Sequence, residues 1–133
     1  MIEDIATIGI YVRDQDVALD FYKNKLGFDV RADRPAGKYR WIEVAPRGAT
    51  TTIVLGTPEY ETGSEEKVGG FTDIQLWTDN IEATYEELAR KGVNFVVKPA
   101  LMPWGQWHSE FVDPDGNKFF LVQHERKIQH ERK

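Results

Sequence analysis

Hydrophobic and polar positions along this chain follow two periods, one after the other, and the pair of periods occurs twice. Residues 7–30 run T-I-G-I-Y-V-R-D, then V-A-L-D-F-Y-K-N-K-L-G, then F-D-V. Residues 72–97 run T-D-I-Q-L-W-T-D, then I-E-A-T-Y-E-E-L-A-R-K-G, then V-N-F-V-V. The first segment of each copy alternates with period two, as a strand does, and the second has helical spacing. Asp14 and Asp79 suit helix starts, and Gly27 and Gly92 suit helix ends. Val17, Phe21 with Tyr22, and Leu26 form the expected buried stripe of the first helix; Ile81, Tyr85 and Leu88 form that of the second.

Three further strand-like runs follow each helix. They are expected near 28–33, 39–45 and 51–55 in the first copy, and near 94–99, 106–112 and 117–123 in the second, broken by Gly- and Pro-rich turns. The fold expected is therefore α+β: two paired βαβββ modules, about 5–57 and 70–123, forming a curved mixed sheet around a cleft in a single domain. The charged, glycine-containing stretch between the modules reads as an exposed loop. Residues 124–133 read as a polar tail, in which the pentapeptide Q-H-E-R-K of residues 123–127 recurs at 129–133. That tail is either a solvated, frayed end or a docking or metal-binding segment through His124 and His130.

Alternation assigns faces. Ile8, Ile10, Val12, Ile53, Leu55, Ile74, Leu76, Phe120 and Val122 are expected beneath the helices. Thr7, Gly9, Tyr11, Thr52, Val54, Asp73, Gln75, Trp77, Phe119, Leu121 and Gln123 are expected on the opposite face. This second set is mixed and aromatic, which fits either a wall that meets a ligand or an ordinary solvent-facing sheet. Glu43 can face either way.

Composition narrows the partners. Acidic residues exceed basic ones, giving a formal charge of −5, which disfavours nucleic acid and anionic membrane as partners. With no cysteine in the chain, disulfides, thiolate metal sites and cysteine nucleophiles are excluded. No basic-then-apolar leader precedes the first strand and no apolar run approaches membrane-spanning length, so a cytoplasmic protein is expected. A Ser–His–Asp arrangement would have to rest on His108, and no G-x-S-x-G accompanies it. No glycine loop of phosphate-cradling type is present.

The segments V-R-D…A-L-D-F-Y-K-N-K-L-G-F, T-D-N…L-A-R-K-G-V and D-P-D-G-N-K-F-F-L-V-Q resemble the vicinal oxygen chelate superfamily. Glyoxalase I, the extradiol dioxygenases and the bleomycin-resistance proteins belong to it. The resemblance implies a divalent-metal site at cavity-facing points of the first, fourth, fifth and eighth strands. Those points fall here on Thr7, Val54, Asp73 and Gln123, of which only Asp73 is a respectable donor, so neither metal nor cofactor is expected. The stretch M-P-W-G-Q-W-H-S-E-F-V-D-P-D-G-N resembles the metal-free bleomycin-resistance branch, whose members bind a drug in an aromatic, acidic groove at a dimer interface. It implies a homodimer that binds a small, partly aromatic molecule. Tyr11, Trp77 and Trp104 are the expected walls, and Asp73, Gln75, His108, Glu110 and Gln123 the orienting groups. Trp104 has a second reading, as a plug between strands. The alternative function is a metal-dependent lyase, isomerase or dioxygenase with an atypical site around Asp73, His108 and Glu110.

Overall fold

A computed structural model of the chain describes residues 1–60 and 65–124. It contains two four-stranded mixed sheets, one per module. In the first, β1 (Thr7–Tyr11) is followed by α1 (Gln15–Asp20), β2 (Asp29–Ala36), β3 (Tyr39–Ala45) and β4 (Thr52–Gly56). In the second, β5 (Gly70–Thr78) is followed by α2 (Ile81–Arg90), β6 (Asn94–Leu101), β7 (Trp107–Val112) and β8 (Asn117–Gln123). The strand orders are β1-β4-β3-β2 and β5-β8-β7-β6, so the βαβββ repeat read from the sequence is the architecture. The chain divides into two compact units: Met1–Gly70 with Pro114–Asn117, and Phe71–Asp113 with the chain from Lys118. No helix among the described residues is long and apolar enough to cross a membrane. His130 and the rest of the repeated tail beyond His124 lie outside the described residues.

Local chemistry explains both helices. The Asp14 carboxylate accepts hydrogen bonds from the amides of Asp16 and Val17 at 2.9 and 3.1 Å, capping α1 as expected. Helix α1 then widens into a π-helical turn over Phe21–Lys25 and stops at Gly27, where φ is +76°. The widening rotates the buried stripe onto Ala18, Phe21 and Tyr22, and leaves Val17 51% exposed against expectation. The cap of α2 is Asn80, one residue beyond the aspartate the sequence suggested; its side-chain oxygen accepts from the Ala83 amide at 3.1 Å. Ile81 and Leu88 are buried, and the half-buried Tyr85 meets Phe95 edge-on at 4.7 Å.

The first core gathers Ile10, Val12, Phe21, Tyr22, Ile42, Val44, Ile53 and Leu55, all buried. Ile8, expected among them, lies on the edge strand and is 36% exposed. In the second unit, Phe111 and Phe119 stack at 5.5 Å, with Leu121, Val93 and Leu88 buried in the same core. This reverses the faces assigned to β8. Phe119 and Leu121 are core residues and Phe120 is turned to the open side, because both faces of this strand are apolar and alternation alone could not set its phase.

The D-P-D-G-N turn is anchored through Asn117, which is buried. The Asn117 side-chain oxygen accepts from the Gly69 amide at 2.9 Å, and its Nδ2 donates to the Tyr11 carbonyl at 3.0 Å. Gly69 sits at φ +81°, where a Cβ would lie 2.7 Å from the Asp115 carbonyl oxygen. Only glycine fits there. Replacing Asn117 by Ala removes the partner of a half-buried amide and of a half-buried carbonyl, so the expected cost is about 1–3 kcal/mol. Urea denaturation reads it, and a change below about 0.5 kcal/mol would contradict the anchoring role.

Candidate functional site

On the open side of the second sheet lies a cavity of about 430 Å³. Strand β5 contributes Phe71, Asp73 and Gln75, and β8 contributes Phe120 and Val122. His108 comes from β7, with Trp104 and Gln106 from the turn before it. That turn is closed by hydrogen bonds from the Gly105 amide to the Met102 carbonyl and from the Met102 amide to the Gln106 carbonyl, both 2.8 Å. Gly105 takes φ +87°, which holds Trp104 at the rim, 66% exposed. Trp104 is therefore a wall and not a plug between strands.

The aromatic lining is continuous. Phe71 meets Phe120 edge-on at 5.5 Å, Phe120 lies 5.6 Å from His108, and His108 meets Trp104 edge-on at 6.2 Å. Asp73 has φ +60°, the one positive value at a non-glycine residue among those described. This left-handed conformation costs on the order of 1 kcal/mol and persists only where surrounding structure enforces it. The Asp73 carboxylate makes no hydrogen bond or ion pair with any described residue, so it offers the cavity an uncompensated negative charge. Glu110 stands beside the cavity: its Oε2 lies 3.5 Å from His108 Nε2 and its Oε1 3.3 Å from Lys118 Nζ. The carboxylate thus lies against the edge of the imidazole, with Lys118 as its cationic partner.

Other residues singled out in the sequence lie elsewhere. Trp77 shares the β5 face of Asp73 and Gln75 but stacks on His124 at 4.6 Å, outside the cavity lining. Gln123 projects to the helix side, where its Oε1 accepts from the Ile81 amide at 2.8 Å and satisfies the first turn of α2. Tyr11 belongs to a different cavity, in the first unit. The residues missed were Phe71, Gln106, Phe120 and Val122. Only Phe71 carried a usable signal, as it continues the alternation of Asp73, Gln75 and Trp77 by one step.

The first-unit cavity holds about 190 Å³ and is lined by Gly9, Tyr11, Tyr39, Trp41, Val54 and Gly56, among others. Glu43, undecided in the sequence, is on this side. Its Oε1 accepts from the Thr52 hydroxyl and its Oε2 from the Trp41 indole N–H, both at 2.7 Å. The Thr52 hydrogen bond foremost, then that of Trp41, holds the Glu43 carboxyl below the usual carboxylate range, against the opposing effect of partial burial.

The family's metal positions do not fit a resident divalent ion. Val54 has no donor atom; Gln123 lies on the helix side, bonded to the Ile81 amide, and the residues of β8 that do face the cavity, Phe120 and Val122, have no donor atom either. Among the described residues no three His, Asp or Glu side chains come together to hold a metal.

The chain matches the glyoxalase/bleomycin resistance protein/dioxygenase superfamily over residues 4–121. It is 40% identical to the YetH protein of Bacillus subtilis strain 168 over 122 residues, covering 91% of this chain and 98% of YetH. A crystal structure of a member of the same superfamily from Sphaerobacter thermophilus DSM 20745 is 42% identical with a TM-score of 0.88, covering 92% of this chain and 98% of that one. The crystal structure of TnmS3, an antibiotic binding protein from Streptomyces sp. CB03234, is 37% identical with a TM-score of 0.77, covering 92% and 96%.

A carboxylate with a lowered folded-state pKa stabilises the fold above its unfolded pKa, and that contribution disappears as pH falls through the folded value. Between about pH 5 and 3, Glu43→Gln should therefore lose less stability than the unsubstituted protein in pH-dependent thermal denaturation. Parallel curves would contradict the assignment.

Proposed function

The chain belongs to the glyoxalase/bleomycin resistance protein/dioxygenase superfamily, and on that premise we propose that it binds and sequesters a small, partly aromatic molecule without a metal. The binding place is the second-unit cavity. The observation that carries the reading is the unpaired Asp73 carboxylate set among the rings of Phe71, Trp104, His108 and Phe120. Rings of this kind stack on a planar ligand, and the carboxylate pairs with a cationic group on it. At about 430 Å³ the cavity is within the range of sites that take drug-sized molecules. The 37% identity to an antibiotic binding protein supports the same reading.

In this account Gln75 and Gln106 orient the ligand by hydrogen bonds, and Glu110 acts indirectly by positioning His108. Gln123 contributes through helix α2, and Trp77 extends the apolar surface beyond the cavity. A homodimer belongs to the proposal. Phe71, Trp77 and Trp104 are each at least 60% exposed, and large apolar side chains left open in this number favour burial against a second copy. A cytoplasmic location is also part of it, consistent with a chain free of cysteine.

Calorimetric titration with bleomycin and with the cationic acridine proflavine, in the presence of EDTA, tests the reading. The expected result is saturable binding of at least one of them that EDTA leaves unchanged. Trp104→Ala and Asp73→Ala should each weaken it about tenfold, or about 1.4 kcal/mol. Affinity unaltered by both substitutions, or binding abolished by EDTA, would overturn the proposal. The same samples should sediment as a species of twice the chain mass; a monomer at all concentrations would remove the dimer from the account.

A further inference from the structure

We propose that Thr72, which does not line the second-unit cavity, is the positioning residue that gives the cavity its preference for a cation, by holding Asp73 in the left-handed conformation. The inference rests on the binding reading above and adds the device by which this chain aims the carboxylate. Asp73, at φ +60°, lies within β5. A glycine would take that conformation without strain, as Gly69 and Gly70 do nearby. It would also remove the carboxylate. An aspartate is kept at a backbone position that disfavours it, and the side chain that results lines the cavity together with Phe71 and Gln75.

The Thr72 hydroxyl supplies the hold. It accepts from the Ile74 amide at 3.1 Å and donates to the Lys118 carbonyl, on the neighbouring strand β8, at 2.6 Å. A threonine hydroxyl that bonds the amide two residues on closes a tight turn around the residue between them. Here that residue is Asp73. Because the same hydroxyl is tied to β8, the turn cannot relax to a plain extended strand without breaking both hydrogen bonds. Interruptions of a strand next to a site re-aim a side chain in this way.

The second hydrogen bond bears on charge as well. It ties down the backbone of Lys118, whose ammonium lies 3.3 Å from Glu110 Oε1 and 5.8 Å from the Phe71 ring centroid. Glu110 therefore has Lys118 and the His108 edge against it, whereas the Asp73 carboxylate has no such partner among the described residues. One hydroxyl thus aims the carboxylate left open to a ligand and seats the lysine that answers the other one. A cation entering the cavity meets Asp73 and not Glu110.

The test compares two probes by calorimetric titration of the full chain at mildly alkaline pH: proflavine, which is cationic there, and acridine, the same ring system uncharged. Thr72→Val keeps the shape of threonine and its preference for strands while removing the hydroxyl. It should weaken proflavine about tenfold and acridine less than about twofold, and Thr72→Ser should bring proflavine back to within about twofold. In an Asp73→Ala background Thr72→Val should cost nothing more, since both changes remove one contact. Equal loss of the two probes overturns the proposal, as does a further loss in that background. So does an unchanged proflavine affinity in Thr72→Val where Asp73→Ala lowers it, and in that case the binding reading still stands. Proflavine indifferent to Asp73→Ala removes the ionic contact itself, and this inference with it. The backbone gives a readout that needs no ligand: in a crystal structure of Thr72→Val, Asp73 should take a negative φ. A φ still near +60° overturns the proposal even if neither probe binds. Should Thr72→Val fail to fold, Thr72→Ala serves the same comparisons.

Discussion

On each sheet's open face a carboxylate lies beside the ring two residues before it, hydrogen-bonded to Trp41 in the first sheet and against the His108 edge in the second, and the cavity walls are built on these pairs. Glu43 fixes the Trp41 indole at 2.7 Å and is fixed in turn by the Thr52 hydroxyl. Glu110 stands 3.5 Å from the His108 imidazole and is countered by Lys118. A half-buried carboxylate needs such partners to remain charged at modest cost. Paired with Thr52, Glu43 turns the Trp41 ring into a wall of set position, because i and i+2 on a strand share a face. Preorganised rings lower the entropy lost when a planar ligand is stacked.

On the opposite face of the second sheet, strand β8 is tied to the start of α2. The first amide of α2 is an orphan donor, and Gln123 at the end of β8 satisfies it. Gln123 is therefore not the cavity-facing point of the eighth strand; Phe120 and Val122 are. Asn117, at the other end of the same strand, bonds to the Gly69 amide and the Tyr11 carbonyl. Strand β8 begins and ends on side-chain amides that close backbone gaps. Between them Phe120 and Val122 are left to line the cavity.

Much of this could be read from the chain. The repeated alternation, helix caps and glycine stops specify βαβββ twice, and Asp14 caps its helix as its position implies. Asp73, Gln75, Trp104 and His108 were singled out and do meet around one cavity. What failed was phase: F-F-L-V is apolar on both faces, so alternation could not say whether Phe119 or Phe120 looks inward. Gln123 looked like a cavity residue because a polar side chain ending an apolar strand suggests an open face. A hydrogen bond to an amide many residues away leaves no local pattern. Tyr11 and Trp77 match in sequence yet differ in setting, since Trp77 stacks one face on His124 and stays exposed, whereas Tyr11 lines a cavity of its own. Glu43 was undecidable until the Thr52 and Trp41 partners fixed its side.

Sequestration and catalysis differ most directly in what becomes of the ligand. Incubating EDTA-treated protein with a several-fold excess of a bound aromatic antibiotic, then recovering all of the compound for mass spectrometry, separates them. This account gives the antibiotic back chemically unchanged, with an amount protected that is stoichiometric with the protein. Conversion of more than one equivalent per chain would contradict it and make the His108–Glu110 pair the place to look for chemistry.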